Sequence, residues 1–250
     1  MKKKYIIIAI AILFIICAGI IFINYSNNGF VDLEWVSVGN RIYKIENGKN
    51  NSKNANKILR NSKKGKYLVT LNGNDYSSAT NNYTGAKIYK LEGFNNEVEL
   101  LLEHNDKKRL LTLARINDKV TMKEILNMYG SISDIKYIEL KYCYTDGKKQ
   151  IKRKISNNNQ IQELYNLLEA VPISEEPIYT QIPESAFTNQ DSPDVKEELS
   201  DVYIEIYYNN YTCLTLNVTF LYNTNAISTL GMLNSFILTE ELSNYLQNNI

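Results

Sequence analysis

Residues 135–155 read IKYIELKYCYTDGKKQIKRKI, and the parity of this stretch decides the fold. Asp146-Gly147 is a favoured two-residue turn, and setting Thr145 opposite Lys148 places Tyr142 against Ile151, Leu140 against Arg153 and Ile138 against Ile155. The apolar residues then share one face of both strands, as a half-buried antiparallel hairpin requires. Downstream, Ile161, Leu164, Tyr165 and Leu168 lie at the spacing of one helix face, and the helix ends before Pro172. Upstream, Thr121 and Glu124 form a capping box. Met122, Ile125, Leu126 and Tyr129 make the apolar face of that helix and Gly130 supplies its stop.

The hairpin-then-helix pattern recurs towards the C-terminus. Val202, Ile204, Ile206 and Tyr208 alternate, as do Leu214, Leu216, Val218 and Phe220. A two-residue turn would put these sets on opposite faces, so a three-residue loop, Asn209 to Tyr211, is expected, with Ile206 opposite Leu214 and an Asn in the left-handed conformation. Thr239 caps a last helix in which Leu242, Tyr245 and Leu246 face the sheet and Glu240 and Glu241 complement the dipole.

The region 30–116 reads as mostly β. Val31, Leu33 and Trp35 alternate, Gly39-Asn40 marks a turn, and Arg41 to Ile45 returns. Further strands are expected at Tyr67 to Leu71, Lys87 to Leu91, Val98 to Glu103 and Leu110 to Arg115. Glu46 to Gly65 is polar, with only Ile58-Leu59 to bury, and reads as a short helix or a loop. The fold class that follows is α+β, with antiparallel sheets and helices packed on one side, in a mostly-β part at 30–116 and a hairpin-helix part at 121–250.

Ahead of both lies the apolar run Ile6 to Ile23, without a charged side chain. As a helix it covers roughly 27 Å of a hydrocarbon core about 30 Å thick. Lys2, Lys3 and Lys4 precede it and Asn24 to Gly29 carries no charge, so residues 1–4 are expected in the cytoplasm, 5–24 across the membrane and the rest outside. The rival is a cleaved signal peptide, against which Ile20 to Ile23 continue the apolar run past Cys17, Ala18 and Gly19.

The chain of 250 residues has 28 basic and 27 acidic residues, which gives no global pull towards nucleic acid. Its charges are nevertheless segregated. Arg41 to Lys66 holds nine basic residues against Glu46, a net of +8, and Lys57, Arg60, Lys63 and Lys64 are the expected contacts to an anionic lipid or wall polymer. Pro172 to Asp201 holds all four prolines and eight acidic residues against Lys196, a net of −7, and reads as an exposed connection. It is either a solvated linker or a recognition loop, and it offers an internal neutralising partner for the basic segment.

The phrases Gly39-Asn40-Arg41-Ile42-Tyr43 and Gly85-Ala86-Lys87-Ile88-Tyr89-Lys90-Leu91-Glu92-Gly93 resemble recurrent ones in uncharacterised membrane-anchored proteins and lipoproteins of low-GC Gram-positive bacteria. Glu184-Ser185 through Pro193, with the hairpin-helix pieces, is similar to a second group of such exported domains. The resemblance implies a place in the cell envelope. Cys17 follows Phe14, Ile15 and Ile16, not the small residue that lipid attachment requires, and the resemblance brings no activity to carry over.

Chemistry is constrained by what the residues lack. His104 is the only histidine and is expected in the turn from Glu103 to Lys108, so a serine or cysteine nucleophile has no other imidazole. No P-loop or dinucleotide fingerprint, and no zinc-ligand spacing, is present, and no cofactor or metal site is expected. Cys143 and Cys213 are candidates for a disulfide, on condition that their strands are neighbours. The expected function is a membrane-anchored extracytoplasmic binding or accessory module whose partner is a lipid, wall polymer or envelope protein. The alternatives are an envelope-acting hydrolase using a carboxylate pair and a regulatory subunit of a membrane complex.

Overall fold

The computed structural model describes residues 34–46, 53–77, 82–94, 98–144, 150–174, 199–220, 226–229 and 235–249. The expected cytoplasmic tail and membrane span, the Asp146-Gly147 turn and most of the acidic connection lie outside the described residues. Among the described residues no helix is long and apolar enough to cross a membrane.

The elements in chain order are β1 (Trp35–Val38), β2 (Arg41–Ile45), α1 (Lys53–Asn61), β3 (Lys64–Thr70), β4 (Tyr76–Ser77), β5 (Lys87–Leu91), β6 (Glu99–His104) and β7 (Lys107–Ile116). Then come α2 (Met122–Tyr129), a 3-10 turn (Ile132–Asp134), β8 (Ile135–Tyr144), β9 (Gln150–Ile155) and α3 (Asn158–Glu169). The chain closes with β10 (Leu199–Tyr208), β11 (Cys213–Thr219), β12 (Ala226–Thr229), β13 (Ser235–Ile237) and α4 (Glu240–Gln247). The architecture is α+β, with two antiparallel sheets and, among the described residues, four α-helices. The first sheet runs β3-β5-β6-β7-β2-β1-β4 and the second β13-β12-β11-β10-β8-β9.

In the second sheet β8 and β9 pair in the register set by the turn, Tyr142 opposite Ile151, Leu140 opposite Arg153 and Ile138 opposite Ile155. On its other side β8 pairs with β10, Ile138 opposite Ile206 and Leu140 opposite Ile204. β10 and β11 pair with Ile206 opposite Leu214. Ile138, Leu140, Tyr142, Ile155, Val202, Ile204, Ile206, Leu214, Leu216 and Val218 on the apolar face are buried, and Ile151 on the edge strand is half-buried. The Tyr142 hydroxyl donates to the Leu246 carbonyl of α4 at 3.1 Å. Tyr129 of α2 stacks on Tyr208 with centroids 6.1 Å apart. The caps hold as read: Thr121 and Glu124 close a complete capping box, and the Thr239 hydroxyl accepts from the Leu242 N–H.

One detail of the β10–β11 loop differs from the expectation. It has three residues, but the left-handed one is Tyr211, at φ 72, not an Asn. The reason lies in Asn210, whose side-chain oxygen accepts from both the N–H and the hydroxyl of Thr212, fixing the turn one residue earlier.

The first sheet is covered on both faces, which accounts for the unbroken apolar run in β6. Val36, Tyr43, Ile45, Ile88, Leu100, Leu102, Leu111 and Leu113 belong to one buried cluster that continues into the second sheet's core. On the opposite face the polar stretch before β3 forms α1, which lays Ala55 and Ile58 over Leu91, Leu101 and Leu110. The β1–β2 hairpin turns at Gly39, φ +62, as the first position of a type II′ turn demands. His104 ends β6 opposite Lys107, outside the turn where it was expected; the turn itself is Asn105 and Asp106, at φ 49 and 59. The edge strands β3 and β9 carry KGKYLVT and QIKRKI.

Candidate functional site

The basic residues singled out in the sequence fall on α1 and the start of β3. Lys57, Arg60, Lys63 and Lys64 are all exposed, and Lys66 joins them. They are not equivalent. Lys64 pairs with Glu103 at 2.9 Å and its ammonium lies 4.5 Å from the centre of the Tyr89 ring. The hydrogen bond with Glu103 raises the Lys64 pKa, and the same contact lowers that of Glu103. Lys57 lies over the Tyr211 ring at 5.7 Å, a contact that leaves its charge outstanding. The outward charge is therefore concentrated on Lys57, Arg60, Lys63 and Lys66.

Cys143 and Cys213 are free thiols. The expected disulfide fails on its own condition, because β10 lies between their strands. Cys143 is opposite Asp201 and Cys213 opposite Tyr207, six residues further along β10, about 20 Å at the rise of a strand, where a bond needs Cα atoms within about 7 Å.

A second site had no signal in the sequence. Where the α1 face of the first sheet meets the polar face of the second lies a half-open cavity of about 180 Å³. Ala55, Ile58 and Leu110 form one wall, and Tyr207, Tyr211 and Cys213 stand on the other. Glu46, Glu99 and Glu205 also line it. Glu99 stands opposite Thr112 in the β6–β7 ladder and is only 3% exposed. One of its oxygens, Oε2, is buried with no hydrogen-bond partner. Loss of solvent pushes this carboxyl up to about 8.

The groups around Glu99 are inert as nucleophiles. Burial, and then the charge of Glu205, pushes the Cys213 thiol up to about 12, so almost none of it is thiolate. The Tyr207 hydroxyl donates to Glu205, whose other oxygen takes the Lys141 ammonium. Tyr207 also stacks on Tyr137, with centroids 4.5 Å apart. Among the described residues no group of three or more His, Cys, Asp or Glu is arranged to hold a metal ion.

Between α3 and α4 an open groove of about 640 Å³ is lined by polar residues such as Gln160, Glu163 and Asn248, with Tyr245 at its side. On the core side of the first sheet, the Tyr83 hydroxyl donates to the buried Glu34 at 2.7 Å and Arg109 approaches the same carboxylate at 3.7 Å. His104 packs its ring 5.8 Å from Tyr83 in that cluster, as a neighbour of a structural ion pair. Comparison of the chain with protein-family models, with curated proteins and with solved structures gives no match.

Proposed function

We propose that the chain is a membrane-tethered binding module of the bacterial cell envelope, which holds its folded part against an anionic lipid surface through α1 and the start of β3. The observation that carries this reading is the outward cluster of Lys57, Arg60 and Lys63 on one exposed helix-strand corner, in a chain whose net charge is only +1. An apolar run at Ile6 to Ile23 keeps this corner within a few tens of residues of a bilayer. Basic residues near an anionic membrane each contribute on the order of 1 kcal/mol, and the effect fades within a Debye length of about 8 Å at physiological salt. Lys64 contributes least, because Glu103 already holds it.

Binding is a better reading than carboxylate-based hydrolysis because the three acids that share a cavity, Glu46, Glu99 and Glu205, are poorly disposed for catalysis. Glu205 is engaged by Tyr207 and Lys141, and no histidine stands by. The test has two arms. Residues 28 to 250, which hold both sheets, are mixed with anionic vesicles, with zwitterionic vesicles and with wall polymer at rising salt. Binding to anionic vesicles that is lost with salt, and lost on replacing Lys57, Arg60, Lys63 and Lys64 by Gln, supports the reading. Binding to wall polymer alone, or to nothing at low salt, rejects it. Protease added to intact protoplasts reads the topology: the folded part should be digested while the protein stays with the membrane under alkaline wash.

A further inference from the structure

The cavity between the two sheets asks for an explanation apart from how the basic corner is used. A carboxyl buried to this degree is normally hydrogen-bonded, since an unpaired one costs several kilocalories or loses its charge. Glu99 Oε2 has no such bond, and the carboxyl lines a half-open space of about 180 Å³. That is room for several water-sized groups.

The lining selects what enters. Three of its residues are acidic, Glu46, Glu99 and Glu205, and no Lys, Arg or His is among the described residues that line it. An anion is therefore disfavoured. A metal ion is disfavoured too, because the acids are not gathered into a ligating group. The remaining walls are largely apolar and aromatic: Ile58 and Leu110 beside the carboxyl on the first sheet's side, the rings of Tyr207 and Tyr211 on the second's. Lys57 of α1 lies over the Tyr211 ring at 5.7 Å, a contact between the two sides.

We propose that this cavity is a binding site for a small primary alkylammonium ion, whose head meets the Glu99 carboxylate while its chain lies against Ile58, Leu110 and the Tyr211 ring. The ammonium supplies the donor that Oε2 lacks, and the short alkyl chain matches the apolar wall. Because Glu99 is protonated at neutral pH in the empty site, the ion pair forms as the carboxyl proton passes to solvent. The titratable groups facing it are Glu46 just past β2, Tyr129 from α2, Glu205 and Tyr207 from β10, Tyr211 from the turn and Cys213 from β11. Burial holds Tyr129, Tyr207 and Cys213 uncharged, so none of these competes for the proton.

Calorimetry on the full chain in a nonionic detergent tests this with n-butylammonium chloride and its neutral counterpart 1-butanol. Butylammonium should bind at least about tenfold more tightly than butanol, and more tightly at pH about 8.5 than at about 7, with close to one proton released at the lower pH. Glu99→Gln should abolish the preference for the charged ligand. The comparison of the two ligands and the pH dependence stand on the native chain, so they decide the matter even where the variant misfolds. No binding, equal binding of the two ligands, or a preference unchanged in folded Glu99→Gln would overturn the proposal.

Discussion

A Cβ placed on Gly130 stands 3.0 Å from Cδ1 of Tyr208, tighter than most real side chains approach. Gly130 also has φ 155, in the region open to glycine alone, and its N–H closes α2 onto the Leu126 carbonyl. The chain thus leaves α2 through a point where the helix, the 3-10 turn and the second sheet meet. Gly130→Ala should destabilise the fold by roughly 1–3 kcal/mol in urea unfolding. Gly73→Ala, at a position with nothing within 4 Å and no positive φ, should stay within about 0.5 kcal/mol.

Glu99 should make stability fall as pH rises. Its carboxyl ionises at about 8 in the folded chain against 4.5 for an unperturbed one. At pH below 4.5 it is protonated in both states and costs nothing; between 4.5 and about 8 only the unfolded chain ionises, and the penalty grows to its full value above that. Glu99→Gln should therefore match the wild type in unfolding free energy at acid pH and exceed it by an amount on the order of a few kcal/mol at pH about 9, with a correspondingly higher melting temperature. Thermal melts of both chains across this range, without added amine, provide the check.

Cys143 and Cys213 should both be recovered as free thiols by non-reducing peptide mapping. In the folded chain Cys213 should alkylate far more slowly than an ordinary thiol, because its pKa of about 12 leaves only a trace of thiolate near pH 8. Time-resolved iodoacetamide labelling reads the rate, and rapid native labelling of Cys213 would contradict its burial beside Glu205.

Tyr83→Phe should cost roughly 1–3 kcal/mol, since it removes the hydrogen bond to a carboxylate that is 1% exposed and lies 3.7 Å from Arg109. His104→Ala removes only a tilted ring contact and should cost less than about 1.5 kcal/mol. Both are read by chemical denaturation.

These residues also show what a linear reading reaches. The β8–β9 and β10–β11 registers were legible because each depends on a short turn and a period of two, both local in the chain. The capping boundaries at Thr121 and Thr239 were legible for the same reason. The α1 helix was half legible: Ile58 was visible, but Ala55 gains its role only from Leu101 and Leu110 beneath it. Glu99 was not legible at all, since its burial is produced jointly by α1, β7 and the β10–β11 turn, and nothing in its neighbours marks it. The disulfide condition turned on strand order, which parity along a strand does not encode.

The basic edge strands β3 and β9 bear on how copies of the molecule meet. Lys64 and Lys66 stand on one rim, and Lys152, Arg153 and Lys154 on another. A rim laid against its own copy would set cation beside cation while forming its ladder, so the open backbone groups there are poor templates for growth. Contact through these two rims should accordingly leave neighbouring copies as separate particles, able to jostle without zipping together there.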